Sequence, residues 1–201
     1  MRLGLPDGSS EPVSSTQYKS FTLAAKAFGA GVNGPLVTVA TIDKTLTSQE
    51  KLDFEANIAT RIMKLDSVSS VVPAAVSKDD KKFLFEVIPV EGPASASTEK
   101  LVFALRDLTA ETQSQYGATL GVTGAAAANI DISKKLGDAL PLYLGTVLIL
   151  SLFLLILVFR SILIPLIASA GFLLTVFATL GAATAVFQWG WMGQVFDIHD
   201  P

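Results

Sequence analysis

The distribution of charged and apolar positions divides the chain into two unlike parts. Residues 139–159 form an uncharged run of 21, Arg160 interrupts, and no residue of 161–196 is charged. A run of that length makes about 31 Å of helix, the thickness of a bilayer's hydrocarbon core. A second run, read over 166–188, is also long enough. Between them lies Arg160-Ser161-Ile162-Leu163-Ile164-Pro165, whose proline disfavours helix before it and suits a first helical turn after it. The pattern predicts a transmembrane helical hairpin. A buried hairpin of a soluble protein would need a covering shell that this chain lacks. Amphipathic side chains fall where such a hairpin meets water: Tyr143 near the start of the first span, Trp189 and Trp191 past the second, and Arg160 at the opposite surface.

Ahead of the hairpin the periodicity changes repeatedly. Residues 1–12 are turn-rich. Ser14-x-x-Gln17 reads as a capping box, with Val13 and Tyr18 as a staple, opening a helix whose apolar stripe is Tyr18, Phe21, Ala25 and Phe28. Residues 36–42 (LVTVATI) read as a strand. Thr47-x-x-Glu50 opens a second helix with Leu52, Ile58, Ile62 and Leu65 inward. Residues 68–75 and 83–90 read as strands around a charged hairpin tip, 77–82. Ser97 caps a third helix, with Leu101, Val102, Leu105 and Leu108 as its apolar face, and 118–123 is a last strand. With the first helix set aside the order is βαββαβ, the ferredoxin-like pattern of a four-stranded antiparallel sheet carrying two helices on one face. The predicted class is α+β: a ferredoxin-like domain followed by an all-α membrane hairpin. Its parts are an extended lead-in and amphipathic helix (1–35), the βαββαβ domain (36–124), a helical connector (125–138), the hairpin (139–159 and 166–188) and an interfacial tail (189–201).

Charge sharpens this division. Fourteen of the 15 Lys/Arg and 16 of the 18 Asp/Glu precede Ala139, so the first part is a near-neutral domain large enough for its own core. No basic patch points to nucleic acid. The absence of cysteine excludes disulfides and thiolate metal sites, and residues 1–6 lack the apolar stretch of a signal peptide. Gly29-Ala30-Gly31-Val32-Asn33-Gly34 spells G-x-G-x-x-G, but a helix precedes it and Pro35 and a strand follow. That reverses the order a nucleotide site requires, so the glycines are read as shaping a turn. The single histidine, His199, lies between Asp197 and Asp200 in a polar tail. No catalytic set, cofactor loop or metal-ligand spacing emerges, and an enzyme is not expected.

The second span carries Gly171, Thr175, Ala178, Ala182 and Ala185 at spacings of 4, 3, 4 and 3. Such a stripe lets membrane helices approach closely, and here it calls for partner helices beyond the hairpin. The first span presents the bulkier Leu148, Leu152, Leu155 and Phe159, compatible with lipid. Neither span holds Asp, Glu, Lys, Arg or His, so no proton relay is expected within this chain.

Several blocks in order resemble a known family: LPDGSSEPVSSTQYK, FGAGVNGP, VTGAAAANIDISKKLGDALPLYL, VFRSILIPL and AVFQWGW. They look like the actinobacterial branch of the MMPL transporters, within the resistance–nodulation–division superfamily, over essentially the whole chain. The resemblance implies a place in the second half of such a transporter, as an extracytoplasmic porter subdomain and two membrane helices. Its partners would be the lipid bilayer, the remaining halves of the transporter and a lipid or other hydrophobic substrate exported on the proton gradient. The family's Asp-Tyr relay would lie in a helix after Pro201, and a span before Met1 is missing too, so the chain is read as a fragment. Lysines 134 and 135 against Arg160 weakly favour a cytoplasmic domain by charge, whereas the resemblance places it outside, which is the reading taken. The alternative is a membrane-anchored binding or assembly module without transport activity.

Overall fold

The computed structural model describes residues 7–187 and 189–191. His199, Asp197, Asp200, the end of the second span at Gln188 and most of the tail lie outside the described residues. The chain divides into two compact units between residues 133 and 134.

The first unit opens with helix α1, Thr16–Phe28, followed by strand β1, Leu36–Ile42. Helix α2, Ser48–Met63, and strands β2, Val68–Val76, and β3, Lys82–Pro89, come next. Helix α3, Ala96–Tyr116, leads to strand β4, Ala118–Thr123. All neighbouring strands pair antiparallel in the order β2-β3-β1-β4, the ferredoxin-like order, with Val39 opposite Leu84 on one side and Gly121 on the other. The α+β fold expected from the sequence is the one observed.

Alternation along the strands builds the core. In β1, Leu36, Thr38, Ala40 and Ile42 are buried, and in β3, Phe83, Phe85 and Val87. They meet Phe54, Ile58 and Ile62 of α2 and Leu101, Val102 and Leu105 of α3. Each Val, Leu, Ile or Phe side chain among them, fully buried, contributes about 1.5–3 kcal/mol. Spacing explains the α2 face: Phe54, Ile58 and Ile62 recur every fourth position, whereas Leu52, expected inward, falls on the far side and is exposed. Phe28 of α1 is likewise exposed rather than part of a covered stripe.

Caps fix the helix starts. Thr47 and Glu50 form the complete capping box anticipated for α2. Ser15, one residue past the expected Ser14, caps α1 by accepting from the Tyr18 N–H, and Ser95, not Ser97, caps α3 through the Thr98 N–H. Gly117 closes α3 in the left-handed region, φ 66°, and lets β4 start at once. The glycine-rich segment after α1 is a short 3-10 turn, Ala30–Asn33. Its Gly31 passes so close to β3 that a Cβ there would stand 1.7 Å from the Pro89 carbonyl oxygen.

Helix α4, Ala125–Phe159, is continuous over 35 residues. Its first turns belong to the domain core through Ala126, Ala127 and Ile130. Helix α5 covers Leu163–Phe187 and starts ahead of Leu166, because Pro165 lies in its first turn, where an N–H has no helical partner to lose.

Candidate functional site

The apolar parts of α4 and α5 are each long enough to cross a bilayer. Pro141 sits inside α4 and removes the N–H that would bond the Gly137 carbonyl, a defect that membrane helices tolerate. Arg160 ends α4 in the left-handed region, φ 48°, with its N–H donating to the Ile156 carbonyl at 2.9 Å.

Helix α5 has two distinct sides. Its half-buried positions include Ser169, Leu173, Val176 and Leu180. Gly171, Thr175, Ala178 and Ala182 are exposed. At about 100° per residue, the two sets point in opposite directions from the helix axis. The matching half-buried positions of α4 are Leu144, Leu148, Leu152 and Leu155. Of the bulkier residues of the first span, Leu148, Leu152 and Leu155 are partly covered and Phe159 is exposed.

The small-residue side stands open. A Cβ added at Gly171 would meet nothing within 4 Å. Its hydroxyls are satisfied within the helix: Thr175 donates to the Gly171 carbonyl at 2.9 Å and Thr179 to that of Thr175 at 2.8 Å. No donor on this side is left stranded in hydrocarbon, and close approach by another helix is unobstructed. Ala185 is the exception and is buried where the chain turns back. There the Trp191 N–H donates to the Ala185 carbonyl at 2.9 Å and the Trp189 N–H to that of Thr184 at 3.2 Å. Trp189 and Trp191 meet edge to face, and both are exposed, as is Tyr143.

In the first unit, Arg106 of α3 makes two 2.7 Å bonds to Asp131 of α4, and this pairing holds the guanidinium above its ordinary pKa range. Across the helical layer Arg61 binds Glu111 and Gln115 and stacks over Tyr116, its pKa raised first by the tyrosine and then by Glu111. These pairs were not visible in the sequence, because their members are dozens of residues apart and share no periodicity. Among the described residues no three His, Cys, Asp or Glu are grouped to hold a metal ion.

A small antiparallel α+β domain followed by two apolar helices long enough to cross a bilayer fits a membrane protein. The chain belongs to the MMPL family, a family of membrane transporters, whose profile matches residues 10–199. It is 38% identical over 200 residues to membrane protein YdfJ of Bacillus subtilis, covering all of this chain and 27% of that one. To the mycolic acid-containing lipids exporter MmpL11 of Mycolicibacterium smegmatis it is 29% identical, over 86% of this chain and 18% of the relative. To the heme uptake protein MmpL11 of Mycobacterium tuberculosis it is 27% identical, over 84% and 17%. The chain thus spans about a quarter or less of the length of these curated relatives.

Proposed function

We propose that this chain is one segment of an MMPL-type exporter, supplying a substrate-handling porter subdomain outside the cytoplasm and two helices to a larger membrane bundle. The two-sidedness of α5 supports this best. Its Leu/Val side is partly covered, and its small-residue side, Gly171 to Ala182, is open and has the shape of a helix contact with nothing on it. Ala185 continues the same stripe beneath the terminal turn. Tyr143, Trp189 and Trp191 anchor the hairpin at one membrane surface and Arg160 at the other.

In this reading residues 36–124 are the porter subdomain, 125–138 its connector and 139–188 the hairpin. The cargo is a lipid or another hydrophobic compound, in keeping with the lipid and heme named for two relatives. Energy comes from the proton gradient through relay residues on other segments, because neither apolar run contains an ionisable Asp, Glu, Lys, Arg or His.

Reconstitution into proteoliposomes under an imposed pH gradient tests this. The chain alone is expected to move neither protons nor a lipid-like dye above empty vesicles, and co-reconstitution with the remaining transporter segments to restore both. Protonophore-sensitive proton flux from the chain alone would overturn the reading.

A further inference from the structure

A cleft of about 440 Å³ opens in the helical layer, walled by Asn57, Thr60, Arg61 and Lys64 at the end of α2 and by Glu111 of α3. Leu65 and Leu108, half-buried and packed on the core, form its floor. Arg61 is its fixed point. Its side chain is only 23% exposed, its amino groups bind Glu111 and Gln115, and its central carbon lies 5.5 Å from the centre of the Tyr116 ring. A guanidinium has five N–H donors, more than these partners use. Three positions on, Lys64 is exposed, and no ion pair to its ammonium forms among the described residues. Asn57 donates one amide hydrogen to the Asp53 carbonyl at 2.7 Å and keeps the other. The lining thus holds two cations against one carboxylate, and that carboxylate is engaged by Arg61.

We propose that this cleft binds a small organic oxyanion, a carboxylate or phosphate on a short hydrocarbon body. Glu111, Gln115 and the Tyr116 ring hold the guanidinium in one orientation, so its remaining donors meet an oxyanion without further loss of side-chain freedom. Lys64 adds a point charge beside that fork, and the Asn57 amide a neutral donor. The two leucines offer the ligand's hydrocarbon a place out of water. A cation would meet Arg61 and Lys64, and a neutral hydrocarbon would leave both without a partner. Size narrows the class further. Small-molecule sites run from about 300 to 1,000 Å³. At about 30 Å³ for each non-hydrogen atom, the share of a water molecule in the liquid, the cleft takes roughly fifteen. A whole two-chain lipid is several times too large. The oxyanion is therefore carried either by a short-chain solute or by the headgroup end of a lipid whose chains lie elsewhere. Every residue involved belongs to the first unit, and the site does not depend on further transporter segments.

Calorimetric titration of the full chain in phosphatidylcholine nanodiscs, with empty discs as the blank, tests the assignment. The probes are n-hexyl phosphate, hexanoate, 1-hexanol and inorganic phosphate. The two hexyl anions are expected to bind, and hexanol and inorganic phosphate about tenfold or more weakly, because each lacks one half of what the cleft offers. Lys64→Gln should weaken both anions about tenfold. Thr60→Phe, which fills the cleft from an exposed position, should abolish their binding. Lys26→Gln, at an exposed lysine of α1 away from the cleft, should change nothing. Unchanged circular dichroism and thermal midpoint show that each variant still folds. No saturable heat from either anion overturns the proposal, as does an affinity for hexanol equal to theirs or binding indifferent to Lys64→Gln and Thr60→Phe. Native mass spectrometry of the chain released from discs containing phosphatidic acid separates the two sources. Bound phosphatidic acid that Lys64→Gln removes makes the ligand a lipid headgroup, and hexyl phosphate bound with no lipid retained makes it a free solute.

Discussion

Thr38 is fully buried at the centre of β1, and its Oγ1 has no hydrogen-bond partner. A buried hydroxyl without a partner keeps its desolvation penalty, about 1–3 kcal/mol, with nothing to offset it. Valine has nearly the same shape and no polar atom, so Thr38→Val should stabilise the domain by about 1 kcal/mol. Thermal unfolding of the chain in detergent micelles, followed by circular dichroism, checks this; an unchanged or lowered midpoint would mean that the hydroxyl has a partner after all. Glu50 behaves differently because it is exposed and titrates. Its carboxylate accepts from the Thr47 N–H at 2.8 Å and from the Thr47 hydroxyl at 2.7 Å, and its pKa is lowered, first by the backbone bond. A carboxyl with a lowered folded pKa stabilises the fold above the ordinary glutamate range, and this contribution is lost as pH falls through the folded value. The midpoint difference between the native chain and Glu50→Gln should therefore shrink on acidification, and a difference constant with pH would contradict the capping account.

Individual elements differ in how much of them the sequence displays. Strand β4 was legible at both ends, because Gly117 and Gly124 punctuate a β-branched run. The α2 start was legible because a capping box is a local pattern. Its inward face was less so: Leu52 has the right chemistry, but only Phe54, Ile58 and Ile62 share the side that meets the sheet. The faces of the membrane hairpin were legible only in part, because hydropathy says that a helix is apolar and not which apolar side meets its neighbour. The small side chains mark one exposed side of α5, and Leu148, Leu152 and Leu155, bulky and compatible with lipid, are partly covered. A prediction follows for that small side. Ala178→Leu puts bulk where another helix is to approach, and overpacking of this kind costs about 1–3 kcal/mol. The yield of assembled transporter in membranes should fall. Phe177→Leu, at an exposed and already bulky position, should change it little. Equal tolerance of both would make the stripe a lipid-facing one.

For the whole molecule, the division between a charged domain and an uncharged hairpin follows from where the charges stop, and the ferredoxin-like order follows from the sequence of short periodic segments. Long-range pairs such as Arg106 with Asp131, and the strand register that sets Glu86 between Val37 and Val72, required the three-dimensional structure. The central claim is a hairpin that crosses the bilayer and a domain that lies outside the cytoplasm. Because the chain has no cysteine, single-cysteine labelling tests it without background. Lys78 lies at the exposed β2–β3 turn and Ser161 in the loop between α4 and α5. In intact cells a membrane-impermeant maleimide should label Lys78→Cys at once and reach Ser161→Cys only after the membrane is opened. Labelling of both sites from outside would contradict a crossing hairpin, and the reverse pattern would place the domain in the cytoplasm.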